Sequence, residues 1–328
     1  MKYKTPIVIT VSVIGLILLL LFALSIYRSR QEREKEQQSS TVMEDSLSPG
    51  EYTFNINVDG NEREYILYIP QSYNKSGSNP LILAFHGAMG SADIMAKYYG
   101  FIPKAEKEGF IVAFPNGASR LPSGDLATWN AGNCCAYAVQ SDSDDVAFVK
   151  AVIDDIKKKV NVGKIFATGM SNGGMFSHRL ACDMSDTFTA IAAVAGTINY
   201  DDCNPKEPIS IMHIHGLLDD RVLFNGGCGP KCTRESETEY TSVPDTISGW
   251  VKRNNCKGNP ERVFENEGAY CDVYSNCTGD TQVKLCVVKE GGHSWPGGKE
   301  SSNQLEQDIP SNSISATDEV WDFFNSVK

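Results

Sequence analysis

The 328-residue sequence predicts an α/β fold, with a mostly parallel central sheet and helices on both of its faces. Two observations carry this reading. Short runs that are apolar throughout recur at 81–87 (LILAFHG), 111–115 (IVAFP), 164–169 (KIFATG), 209–216 (ISIMHIHG) and 283–288 (VKLCVV). They are too brief for helices and suit strands buried on both sides. Helical patterns stand between them at 91–107, 144–159 and 173–183, the second with Asp144 or Asp145 as its N-cap.

Ahead of these runs, 51–70 (EYTFNINVDGNEREYILYIP) alternates apolar and polar residues on either side of Asp59-Gly60, which predicts an N-terminal β-hairpin with a tight turn. No internal repeat interrupts the pattern, so 51–328 is expected to form one domain.

The segment before it is of another kind. After a tail of residues 1–5, residues 6–27 form an uncharged Ile/Val/Leu-rich run, long enough to cross a bilayer. It predicts an uncleaved signal anchor, and a long cleaved signal peptide is the alternative. Residues 28–50 are rich in Gln, Glu and Ser without apolar periodicity, as in a polar stalk. Basic residues after the run outnumber those before it, which favours a cytoplasmic placement of the chain beyond residue 27. The cysteines oppose that: all ten lie between positions 134 and 286, an even number confined to the folded region, as in an exported, oxidised domain. The sequons at Asn74 and Asn276 point the same way. A zinc site is disfavoured, because Cys228 and Cys232 lack a second pair of ligands at short spacing. The net charge of −11 argues against nucleic acid as a partner.

In an open α/β sheet, chemistry sits beyond the carboxyl ends of the strands. There the chain places Gly169-Met170-Ser171-Asn172-Gly173 between a strand and a helix, the context in which a G-x-S-x-G string lifts a serine nucleophile above the sheet. Serine needs a base, and the base an orienting acid. Of the five histidines, only His293, in the glycine-rich GGHSWPGG, follows a plausible acid in the order Ser, Asp, His. The HGLLDDRV segment offers Asp219 and Asp220 as the acid. Backbone N–H groups of Asn172, and of Ala88 or Met89 after the strand at 81–87, are candidates for an oxyanion hole. Trp295 and Trp129 could stack on an aromatic or sugar portion of a substrate.

The blocks HGAMGSA, FPNG, TWNAGNCC, DDVAFVKAVID, ATGMSNGGMFSHRLAC, AAVAG, HIHGLLDD and GGHSWPGG resemble, in order, secreted carboxylesterases of the polyhydroxybutyrate depolymerase and feruloyl esterase type. The resemblance spans about residues 51–326 and implies an α/β-hydrolase fold, a serine esterase mechanism and no cofactor. It makes Ser171 the nucleophile, His293 the base and Asp219 the acid, the fifth residue of a block beginning His215-Gly216. The chain departs from the family at Asp220, where proline is usual, and at the insertion 226–232 (GGCGPKC). Two disulfides follow from the resemblance, Cys182 with Cys203 and Cys256 with Cys277. A third, Cys271 with Cys286, follows if 269–277 and 281–288 form a hairpin; Cys134, Cys135, Cys228 and Cys232 then remain for loops near the site.

The expected activity is ester hydrolysis on feruloyl or acetyl esters of polysaccharide or on short hydroxyacid polyesters. The competing readings are a non-catalytic ectodomain on the same fold, and a peptidase or thioesterase with the same three residues.

Overall fold

The computed structural model describes residues 21, 24–31, 47–58, 60–232, 239–299 and 309–327. The expected anchor at 6–27 and stalk at 28–50 fall mostly outside them, as does Asp59 of the hairpin turn. No helix among the described residues is long and apolar enough to cross a membrane. The chain divides into two compact units, a small one made of residues up to Leu47 with Lys158–Val160, and a large one made of the rest. In the small unit residues 24–31 are helical.

The large unit is built on a ten-stranded sheet. The hairpin forms as expected: β1 (Gly50–Val58) pairs antiparallel with β2 (Asn61–Ile69), closing at Val58 opposite Asn61. β2 then runs antiparallel to β4 (Ile111–Pro115). Beyond it lie β3 (Asn79–Phe85), β5 (Val162–Met170), β6 (Ala190–Val194), β7 (Ser210–Gly216) and β10 (Val283–Val288), which with β4 form a six-stranded parallel centre. The antiparallel strands β9 (Ala269–Tyr274) and β8 (Glu261–Glu265) complete the far edge.

Both faces of the parallel centre are covered, which is why its strands are mostly apolar rather than alternating. On one face Ile82, Val112, Phe114, Met212 and Ile214 pack with residues of α1 (Ala92–Tyr98), α2 (Phe101–Glu108) and α7 (Ala316–Ser326), Trp321, Phe323 and Phe324 among them. On the other, Phe85 meets Phe176 of α5 (Asn172–Asp183) edge-on at 5.2 Å. Three further helices are α3 (Ala136–Gln140), α4 (Asp145–Lys159) and α6 (Val243–Arg253).

The single helix expected over 91–107 is two. Gly100 takes φ +78°, a left-handed conformation that glycine adopts at little cost, and the chain turns there. α6 and α7 were not expected, although Ser242 and Ser315 each cap the helix by accepting a hydrogen bond from the amide three residues on.

All five cross-links of the ten cysteines are formed, and no cysteine is free. The three expected pairs are present, Cys271–Cys286 joining β9 to β10 across directly opposed positions. The remaining four cysteines pair locally, Cys134 with its neighbour Cys135 and Cys228 with Cys232. Asn74 and Asn276 are both exposed.

Candidate active site

Ser171 lies between the end of β5 and the first turn of α5, with φ 52° and ψ −120°. A non-glycine residue rarely takes a positive φ, and here the surroundings hold it. Its N–H donates to the Val194 carbonyl at the end of β6, and its own carbonyl receives the Met175 N–H. The neighbouring glycines make the turn sterically possible. A Cβ on Gly173 would collide with the Phe85 carbonyl oxygen, and one on Gly196 with the Ser171 carbonyl oxygen. Both are close approaches of backbone to backbone, which a side chain cannot evade by changing rotamer.

The loops after β7 and β10 bring the partners. His293 Nε2 is 2.9 Å from Ser171 Oγ, and His293 Nδ1 is 2.8 Å from Asp219 Oδ2. The two lengths fix the protons: the carboxylate accepts from Nδ1–H, so Nε2 carries the lone pair and the serine hydroxyl donates to it. His293 and Asp219 are buried. Burial alone would raise the Asp219 pKa. The charge of His293 and hydrogen bonds from His215 and His293 outweigh it and hold the carboxyl well below the usual range. Its other oxygen accepts the N–H groups of Arg221 and Val222, each at 2.9 Å. Asp220 lies apart, with Oδ2 2.9 Å from Lys231 Nζ, so of the two carboxylates only Asp219 meets His293.

Behind Asp219 stands a buried row of imidazoles that the sequence did not announce. His215 Nε2 lies 2.8 Å from the Val222 carbonyl and 3.2 Å from Asp219 Oδ2, so it is protonated and its Nδ1 accepts from His213 Nε2 at 3.0 Å. His178, stacked on His213, accepts the Trp250 indole N–H at 3.0 Å. Burial, with the charge of Arg253, pushes the His178 pKa down to about 3, and burial first, then the neighbouring imidazoles, puts His213 well below its ordinary value. Both are neutral at physiological pH. The signal for this row was the H-x-H spacing on β7, which turns both rings to one face of the strand.

The Asn172 N–H opens α5, and the N–H groups of Ala88 and Met89 follow β3; none of the three donates to an acceptor among the described residues. All three residues line, with Ser171 and His293, a cavity of about 310 Å³. Met89 has φ 57°. Their loop is fixed by His86, whose Nδ1 donates to the Gly87 carbonyl at 2.7 Å and whose Nε2 accepts the Gly117 N–H at 3.0 Å. Burial, aided by the Arg63 charge, lowers its pKa to about 4 against that hydrogen bond.

Asn172 was expected to matter mainly through its backbone N–H. Its side chain is equally committed. Oδ1 accepts the Trp129 N–H at 2.7 Å and Nδ2 donates to the Trp129 carbonyl at 2.9 Å, a two-bond clamp between the serine turn and the 118–140 loop.

Both tryptophans expected to stack on substrate are instead core residues. Trp129 is fully buried, stacked on Phe176 at 5.0 Å, with its indole N–H on the His86 carbonyl. Trp295 is 1% exposed, packed edge-on against Tyr99 and Phe101, with its N–H on Thr317 Oγ1. Neither has a ring face to offer a ligand. The cavity wall is drawn from Met175, Val222, Tyr240, Arg221 and Lys231, together with Cys135 and Cys232 of the two local disulfides.

Residues 63–222 match the family model described as Esterase PHB depolymerase. Feruloyl esterase B of Piromyces equi is 31% identical over 244 residues, covering 72% of this chain, which spans 44% of that protein's length. Probable feruloyl esterase C of Aspergillus clavatus is 26% identical over 277 residues, covering 80% of this chain and 84% of that one. Among solved structures, an acetyl xylan esterase from Aspergillus awamori superposes with a TM-score of 0.51 at 14% identity, over 74% of this chain and 94% of that one. A ferulic acid esterase from Anaeromyces mucronatus gives 0.50 at 14% identity, over 76% and 86%. These two likenesses concern the fold. Family model, relatives and fold together make this chain an α/β-hydrolase of the polyhydroxybutyrate depolymerase and feruloyl esterase type.

Proposed function

We propose that this chain hydrolyses carboxylic esters through an acyl-enzyme on Ser171, and that its substrates are feruloyl or acetyl esters carried by polysaccharide. The observation that carries the reading is the 2.9 Å approach of Ser171 Oγ to the unprotonated nitrogen of His293, whose other nitrogen donates to buried Asp219. As Oγ attacks the ester carbonyl, His293 Nε2 takes its proton, and Asp219 stabilises the imidazolium that forms. The negative charge developing on the carbonyl oxygen is received by the N–H of Asn172 and that of Ala88 or Met89, each worth about 3 kcal/mol in the transition state. His293 then returns the proton to the leaving alcohol. A water enters, His293 removes its proton, and collapse of the second tetrahedral intermediate frees the acid and restores Oγ–H.

The named feruloyl esterase relatives support the acyl class, and the mixed apolar and polar cavity is compatible with it. The fully paired cysteines support an oxidising, exported setting. A tether through residues 6–27 rests on the sequence pattern. The test is covalent labelling of Ser171 by a fluorophosphonate probe together with turnover of methyl ferulate and 4-nitrophenyl acetate. Labelling and turnover are expected in the parent and absent in Ser171→Ala; a folded parent that does neither defeats the proposal and leaves the non-catalytic reading.

A further inference from the structure

The two loops that depart from the family supply the cavity with charge. Arg221 and Lys231 both line it, and no carboxylate lines it among the described residues, in a chain whose net charge is −11. Lys231 is balanced by Asp220, 2.9 Å away. Arg221 is not. Among the described residues its guanidinium is engaged only through Nη1, by the Lys231 carbonyl at 3.1 Å, and Nε is buried with no acceptor. The residue is half-buried, so the unpaired Nε carries a desolvation cost while the rest of the guanidinium stays within reach of solvent and of a ligand.

The main chain of the arginine is held in place, and the Nη1 bond ties its side chain to the insertion. Its N–H donates to Asp219 Oδ1, and its carbonyl accepts the Gly229 N–H at 2.8 Å. The Cys228–Cys232 disulfide closes the loop that supplies these contacts. The insertion thus fixes a cation against the wall of the cavity that holds Ser171.

We propose that Arg221 is an anion-recognition group of this site, and that the preferred ester carries a carboxylate within reach of the guanidinium. The proposal rests on the ester-hydrolase reading above. Arginine suits this task because its planar fork matches a carboxylate. The carboxylate belongs either to the acyl half, as in a half-ester of a dicarboxylic acid, or to the alcohol half, as in an acetylated uronic acid.

Two matched substrate pairs, given to the full chain, separate these sources. One is 4-nitrophenyl butyrate against 4-nitrophenyl hydrogen succinate, and the other is mono-O-acetyl glucose against mono-O-acetyl glucuronic acid. The expected result is a kcat/KM at least about tenfold higher for the anionic member of one pair, carried mainly by KM and shrinking as salt rises. In Arg221→Gln that ratio is expected to collapse to near unity, and in Arg221→Lys to be partly restored. Disturbance of the Asp219 loop lowers both members of a pair alike and cancels in the ratio. No anionic preference in either pair, or a preference that survives in Arg221→Gln, overturns the proposal while ester hydrolysis stands. Absence of turnover on all four substrates, with no fluorophosphonate labelling, overturns both.

Discussion

Replacing Asn172 by alanine separates the two jobs of that residue. The backbone N–H at the head of α5 remains, while the side-chain clamp on Trp129 is lost. The Trp129 amide is then buried without a partner, and its carbonyl keeps only the Cys135 N–H at 3.2 Å. An unpaired buried polar group costs about 1–3 kcal/mol and a lost hydrogen bond about 1 kcal/mol, so the change costs about 2–4 kcal/mol. For a domain of this size each kcal/mol moves Tm by about 2–4 °C, so Asn172→Ala is expected to melt about 5–15 °C below the parent in differential scanning calorimetry. At a temperature well below either transition, fluorophosphonate labelling of Ser171 should persist. KM for a bulky ester should rise, since the loop bearing Cys135 and Ala136 of the cavity wall is no longer tied to the serine turn. A variant melting within about 1 °C of the parent would refute the idea that this clamp fastens the loop.

Asp219→Asn is expected to lower kcat by about 10³–10⁴ by leaving His293 without its orienting acid, and Asp220→Asn to change it by only a few fold, as steady-state kinetics on 4-nitrophenyl acetate will show. His215→Phe removes a donor to Asp219 Oδ2 without emptying the space, and should depress kcat about tenfold with little change in KM; an unchanged kcat would show that the other contacts of Asp219 suffice. The pH dependence of stability has a definite sign. His86 and His178 are neutral in the folded chain, with pKa values near 4 and 3, so below about pH 6.5 the unfolded state binds protons that the folded state does not. Stability therefore falls from about pH 6.5 towards 4, by up to about 3 kcal/mol for His86, while the depressed Asp219 pKa withdraws its own contribution only below the ordinary carboxylate range. A Tm that stays flat between pH 7 and 4.5 at fixed ionic strength would contradict this. Gly173→Ala drives a Cβ into the Phe85 carbonyl and is expected to yield little soluble protein on expression.

The parts of the fold legible in sequence were those fixed by local pattern. β3, β4, β5, β7 and β10 are bulky apolar runs, and the hairpin alternates about its turn. β6 escaped because AIAAV is small and nearly featureless, and β8 because its ERVFE edge position leaves it mostly exposed. The meeting of Ser171, Asp219 and His293 was legible through strand-end placement and chain order. Everything that depends on partners far along the chain was not. Trp129 and Trp295 sit in loops beside site motifs, yet their rings are enclosed by Phe85, Phe176, Tyr99 and Phe101, which no local spacing identifies. The Asn172 clamp likewise joins residues 43 positions apart.

The cross-links divide by the length of chain they close. Cys182–Cys203, Cys256–Cys277 and Cys271–Cys286 each bridge 15 to 21 positions, enough to restrict the unfolded chain by about 3 kcal/mol apiece. Cys134–Cys135 and Cys228–Cys232 span 1 and 4 positions and restrict it far less, yet each lends a cysteine to the wall around Ser171. The first group is a frame and the second a fitting. A lineage could exchange the fitting, loop by loop, and change which esters enter while the frame goes on specifying the same domain.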